Sequence, residues 1–254
     1  MEQARTPSTV RIGLDAPFRW LSEGWHDLWR APLPFLTYGS FITIISVLLS
    51  WALYVTNLDF WVLVLTAGYV FVAPILAMGC YEGGRILEQG QKPALRQLLF
   101  VRAAFRQDVA YLGLALLMIY FIWTGFAQIV YGGSTYRLYK SVPELIVFAV
   151  GTPDGLTMLA IGSLIGGIMA YFTFTWVVVS APMLLDPQAN VFSATATSFN
   201  AVTSNPVYMT IWAAIIAIFI LVAAMSGFLL LVIIFPWLGI ASWHAYRELV
   251  PCRS

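Results

Sequence analysis

The stretch Val207–Trp243 reads VYMTIWAAIIAIFILVAAMSGFLLLVIIFPWLGIASW and contains no Asp, Glu, Lys or Arg. As one straight helix, its 37 residues would reach about 55 Å. The hydrocarbon core of a bilayer is only about 30 Å thick. The stretch therefore predicts two helices, at 207–225 and 228–246, divided at Ser226-Gly227. A single long helix kinked at Pro236 is the alternative. The choice fixes the parity of crossings, and with it the side on which the C-terminus lies.

Other apolar runs of crossing length lie upstream. They predict spans at 35–54, 60–81, 109–131 and 156–185, six in all. The first two are joined by a short turn around Asn57 and Asp59. The composition agrees: of 254 residues, 60% are hydrophobic and 10% charged, against about 25% charged in a soluble domain. The expected fold class is an all-α polytopic transmembrane bundle. It comprises a polar tail, 1–16, and one membrane domain, 17–254. The polar start predicts no secretory signal.

Charge placement tests the count. Arg5, Arg11, Arg19 and Arg30 precede the first span. Arg85, Lys92, Arg96, Arg102 and Arg106 lie between the second and third, and Arg247 and Arg253 follow the sixth. With six spans these eleven of thirteen basic residues share one side, and Arg137 and Lys140 take the other. The positive-inside rule then places both termini in the cytoplasm of a bacterial inner membrane. Two cysteines, Cys80 and Cys252, would sit near the reducing side as free thiols.

Before the first span comes RWLSEGWHDLWRAPLPF, Arg19–Phe35, with Trp20, Trp25 and Trp29 among charges. At 100° per residue, Phe18, Leu21, Trp25, Leu28 and Trp29 share one arc. Arg19, Glu23, His26, Asp27 and Arg30 share the other, and Trp20 falls off the pattern. This predicts an amphipathic helix over 17–31, ended by Pro32 and Pro34. It would lie in the cytoplasmic leaflet on Phe18, Leu21, Trp25 and Trp29. Packing on the protein's own loops is the plainer alternative. Similar spacing recurs at Leu98, Val101 and Phe105, and at Phe192, Thr195, Phe199 and Val202. Interfacial helices over 93–107 and 189–204 are expected from it, the last without charge and so open to cover by protein.

The central turns of the spans carry no Asp, Glu, Lys or Arg, which argues against a proton pump, an ion-coupled carrier and a membrane hydrolase. Net charge is +1, and no phosphate loop, zinc spacing or nucleic-acid motif is present, so no nucleic-acid partner is expected. His26 and His244 both fall at the cytoplasmic edge. Hydrogen bonding there is favoured over a haem held between them, and no cofactor or metal is expected. The rim offers one candidate cluster: His26, Asp27, Glu82, Arg85, His244 and Arg247. Capping and anchoring are favoured for it over catalysis. Gly162, Ser163, Gly166 and Gly167 form a small-residue seam. Packing within the bundle is its plainer reading, a partner interface its sharper one. Pro74 and Pro182 should kink the second and fourth spans.

Three sets of residues resemble a known family: Phe18-Arg19-Trp20-Leu21 with Gly24-Trp25, Asp27 and Tyr38-Gly39; Tyr81-Glu82 with Arg85, Glu88 and Gly90; and Trp243-His244-Ala245-Tyr246-Arg247. The chain resembles the bacterial domain-of-unknown-function family 2189 of predicted integral membrane proteins, some labelled putative cytochrome c oxidase subunit. The resemblance supplies no site roles. The spans lack the several histidines a catalytic oxidase subunit needs. Gly83-Gly84 departs from the expected Leu-Ser and should loosen the end of the second span. The expected function is a non-catalytic accessory or scaffold subunit that meets membrane lipids and other membrane subunits or its own copies. The rival is a transporter or channel component for a small or lipidic solute.

Overall fold

The computed structural model describes residues 9–56, 68–69, 72–135 and 142–251. The described residues are helical, with no strand among them. In chain order the helices are α1 Ala16–Arg30, α2 Pro32–Val55, α3 Met78–Glu88, α4 Leu95–Leu99, α5 Gln107–Ser134, α6 Val142–Gly151, α7 Pro153–Val177, α8 Ser180–Met183, α9 Val191–Ser204, α10 Pro206–Met225 and α11 Leu231–Leu249, with a 3-10 turn at Arg102–Phe105. Four stretches are long and apolar enough to cross a membrane: α2, α5, Pro153–Met183 and α10. They correspond to four of the six expected spans. Most of the expected span 60–81 lies outside the described residues. The described part is helical at 68–69 and 72–76, and a turn at Ala77 leads into α3.

The 207–243 stretch does divide. Gly227 N–H bonds Ala224 O at 3.0 Å and Phe228 N–H bonds Ala223 O at 2.9 Å. This paired closure needs a left-handed residue just past the helix end. Gly227 takes φ 65° without a Cβ penalty. The same closure, with Gly90 at φ 76°, ends α3. A single kinked helix is thereby excluded, although Pro236 does lie inside α11.

Helix α11 is the hub. Twelve of its 19 residues are buried, and α1, α2, α3 and α10 pack on it. The approach is close because of particular glycines. A Cβ on Gly24 would stand 2.8 Å from Ala241 N, and one on Gly239 would stand 2.5 Å from Cys80 Cβ. Pro236 cannot donate to Val232 O four residues back. Gly39 of α2 sits directly against that freed oxygen, where any side chain would collide with it.

Several sequence expectations need correction here. Gly83-Gly84 does not loosen the end of the second span. A Cβ on Gly84 would lie 2.8 Å from the Trp243 ring, and one on Gly83 2.5 Å from Phe35, so the pair lets two aromatic rings pack flush on α3. The expected helix 93–107 is two short pieces, broken at Phe100 and Val101. The fourth span is interrupted at Val178 and Val179, four and three residues before Pro182, the proline that cannot donate to Val178 O. The loop expected between the third and fourth spans contains α6, which packs on α7.

A candidate polar rim

Helix α1 crosses α11 at Gly24, and its buried stripe is Ala16, Trp20, Gly24, Asp27 and Leu28. Trp20, the residue off the expected pattern, is fully buried. It meets Trp212 edge-on at 5.5 Å and donates Nε1–H to Glu248 at 2.7 Å. Leu28, expected on the outward arc, is buried with it. Phe18, Trp25 and Trp29 face outward, and Leu21 is half-buried. Trp25 contacts Trp29 at 5.5 Å and Trp237 at 4.9 Å, and Trp237 contacts Phe219 at 4.9 Å. An aromatic run thus continues from α1 along α11 to α10.

On the other side of the crossing sits the polar core of the rim. Asp27 Oδ2 lies 2.9 Å from His244 Nε2, and Asp27 Oδ1 accepts from Arg30 at 2.9 Å. Glu23 Oε2 lies 3.4 Å from His244 Nδ1. Each imidazole nitrogen therefore faces a carboxylate. The protonated ring donates to both, a neutral ring to one. Burial pushes the Asp27 carboxyl up, but hydrogen bonds and charge from His244 and Arg30 outweigh that and hold it below its ordinary value.

A second knot joins α3 to α11. Glu88 accepts from Trp243 Nε1 at 3.1 Å and from Arg247 Nε at 2.9 Å, and Arg247 stands 6.0 Å over the Trp243 ring. Glu82 and Arg85 pair with each other along α3 at 2.6 and 2.8 Å. His26 is exposed and joins neither knot, so the expected six-residue cluster resolves into Asp27–His244, Arg247 with Glu88, and Glu82–Arg85.

Two further ties had no counterpart in the sequence reading. Arg106 donates to the carbonyls of Leu184, Asp186, Pro187 and Ala189 at 2.7–3.3 Å. Beside it, Asp108 accepts Val191 N–H at 2.9 Å, at the start of α9. The N-terminal tail is pinned by Ile12 N–H to Asn205 Oδ1 at 3.0 Å and by Val10 N–H to Leu249 O at 3.1 Å. The start of α5, the loop before α9, the α9–α10 junction, the end of α11 and the tail are thus linked along one edge.

The expected seam lies elsewhere. Gly162 and Gly166 face α5, where added Cβ atoms would make ordinary contacts with Val130 at 3.9 Å and Trp123 at 3.6 Å. Gly167 faces open space. Gly162 and Ser163 line an apolar cavity of about 290 Å³ between α5 and α7, with Trp123, Phe126 and Met158.

Among the described residues, no group of three or more His, Cys, Asp or Glu is placed to hold a metal ion. Residues 62–186 match the model of a family described as predicted integral membrane protein (DUF2189). The match covers just under half of the chain and includes the Tyr81–Gly90 motif and Arg106 with two of its four carbonyl partners, Leu184 and Asp186. The motifs at 18–39 and 243–247 lie outside it. No curated protein and no solved structure matches the chain. The chain is similar to this family over that central region. With its four apolar helices, it is a predicted integral membrane protein.

Proposed function

We propose that this protein is a non-catalytic subunit of a bacterial inner-membrane complex, crossing six times with both termini in the cytoplasm. One observation carries the reading. Three of the four apolar stretches bury few of their residues within the chain, 17% in α10, 22% in α5 and 28% in α2, against 39% in Pro153–Met183. Lipid alone can cover such surfaces. The α5/α7 flank also carries Gly167, which faces open space, and an apolar cavity; small residues and a cavity offer other membrane helices more than lipid does. The rim side chains support a structural role, because Asp27, His244, Glu88 and Arg247 hold α1, α3 and α11 together. The apolar cavity between α5 and α7 favours the second reading, a transporter component for a lipidic solute.

The test is a photo-crosslinking amino acid at Ile129, Leu164 or Leu221, three exposed positions, in native membranes. A discrete protein adduct, from a second copy or another chain, supports the subunit reading. Lipid adducts alone at all three positions refute it.

A further inference from the structure

The three segments expected at the membrane interface, α1, residues 89–107 and α9, differ in how their charges are spent. On α1, Arg19 pairs with Asp15 and Glu248, and Arg30 with Asp27. Helix α9 carries no charged residue. Residues 89–107, between α3 and α5, contain Lys92, Arg96, Arg102 and Arg106 and no carboxylate. Arg106 is committed to the 184–189 carbonyls and Asp108. Lys92, Arg96 and Arg102 are exposed and have no ion pair among the described residues. The nearest acids in sequence are taken, Glu82 by Arg85, Glu88 by Arg247 and Asp108 by Arg106.

The same segment exposes large apolar side chains beside those cations. Phe100 is 66% and Phe105 81% exposed, and Leu99 is also exposed. The inner side is fixed. Leu98 and Val101 are buried, Leu98 O lies against Gly79, and Leu98 Cδ1 against Gly83. The outward side is therefore held in place as a mixed surface of three free cations and two phenyl rings. It stands directly before α5, a helix long and apolar enough to cross a membrane.

We propose that residues 92–105 form a binding surface for anionic phospholipids of the membrane in which the chain sits. Lys92, Arg96 and Arg102 meet the headgroup phosphates, and Phe100 and Phe105 enter the acyl boundary. The charge complementarity is specific to this element, since α1 is internally neutralised and α9 uncharged. Each cation near an anionic surface strengthens attraction about fivefold. The inference rests on the rim lying at headgroup level, as the proposed topology requires.

The test is native mass spectrometry of the full chain titrated with phosphatidylglycerol or phosphatidylcholine. The wild type should bind phosphatidylglycerol at least tenfold more tightly, with the preference shrinking as salt rises. The triple variant Lys92→Gln/Arg96→Gln/Arg102→Gln should lose most of that preference. Arg85→Gln, which removes an already paired cation, should keep it. Arg96→Lys/Arg102→Lys, which conserves charge, should also keep it. An unchanged preference in the triple variant overturns the proposal, and so does equal loss in the lysine variant. Equal binding of both lipids by the wild type refutes the patch alone. No binding of either lipid contradicts the headgroup placement as well.

Discussion

Replacing Asp27 with alanine should undock α1 from α11 without disturbing the far helices. The Asp27 side chain is 8% exposed and His244 24%. A hydrogen bond to a charged group contributes about 1.5–3 kcal/mol, and this shielded pair falls in that range. Arg30 is 45% exposed, so solvent screening reduces its share to below about 1 kcal/mol. The sum is a loss of roughly 2–4 kcal/mol in α1 docking. In hydrogen exchange governed by local opening, that speeds exchange of α1 amides about 30-fold to several-hundred-fold. Asp27→Asn keeps an acceptor toward His244 and should cost less than half as much. Peptides of α5 and α7 should exchange as in the wild type. Unchanged α1 exchange in Asp27→Ala, or a uniform rise across the chain, would refute the idea that this carboxylate holds the crossing.

Other outcomes follow from the same contacts. Gly24→Ala forces a Cβ to within 2.8 Å of Ala241 N and should lower thermal stability in detergent by about 1–3 kcal/mol. Gly167→Ala meets open space and should be neutral or slightly stabilising through helix propensity. Because the Asp27 carboxyl is held below its ordinary value, its contribution is complete above the unfolded pKa of about 3.9. It is lost as pH falls through the folded value. Protease protection of α1 should therefore weaken below about pH 4 in the wild type, and Asp27→Ala should show a smaller acid-dependent loss, with only the Glu248 and Glu23 contacts left to titrate. Arg106→Ala strips four carbonyls of a shared donor and should expose the 184–190 loop to limited proteolysis, with α1 exchange unaltered.

The crossing helices were legible because a bilayer imposes a length that few other environments require. Helices α2, α5 and α10 declare it by uninterrupted apolar runs. The turn at 226–230 was legible for a local reason, one glycine able to take positive φ. Helix α11 was harder to read. Its last turns carry His244, Arg247 and Glu248, and only the tertiary structure shows that these face α1 and α3 rather than water. The stripe Trp20, Gly24, Asp27 and Leu28 has helical spacing, yet it mixes an indole, a glycine and a carboxylate. Hydrophobicity alone assigns that stripe to no single face. The break at Phe100 has no glycine or proline to announce it, so an amphipathic repeat read straight through. Gly83 and Gly84 could not be judged from α3 itself. Their value lies in Trp243, some 160 residues away, and in Phe35. The resemblance carried by residues 81–90 falls within the region that matches the family model.

The proposed six-crossing topology rests on all the polar ends sharing one membrane face. It can be tested most directly with single cysteines at Ser22, Gln89, Ser134 and Arg247, in a chain whose Cys252 is replaced by serine and whose Cys80 is buried. An impermeant maleimide applied to intact cells should label position 134 and spare 22, 89 and 247. In inverted vesicles the pattern should reverse. Labelling of 134 and 247 from the same side would contradict the six-crossing topology and, with it, the assignment of the tied rim to the cytoplasmic face.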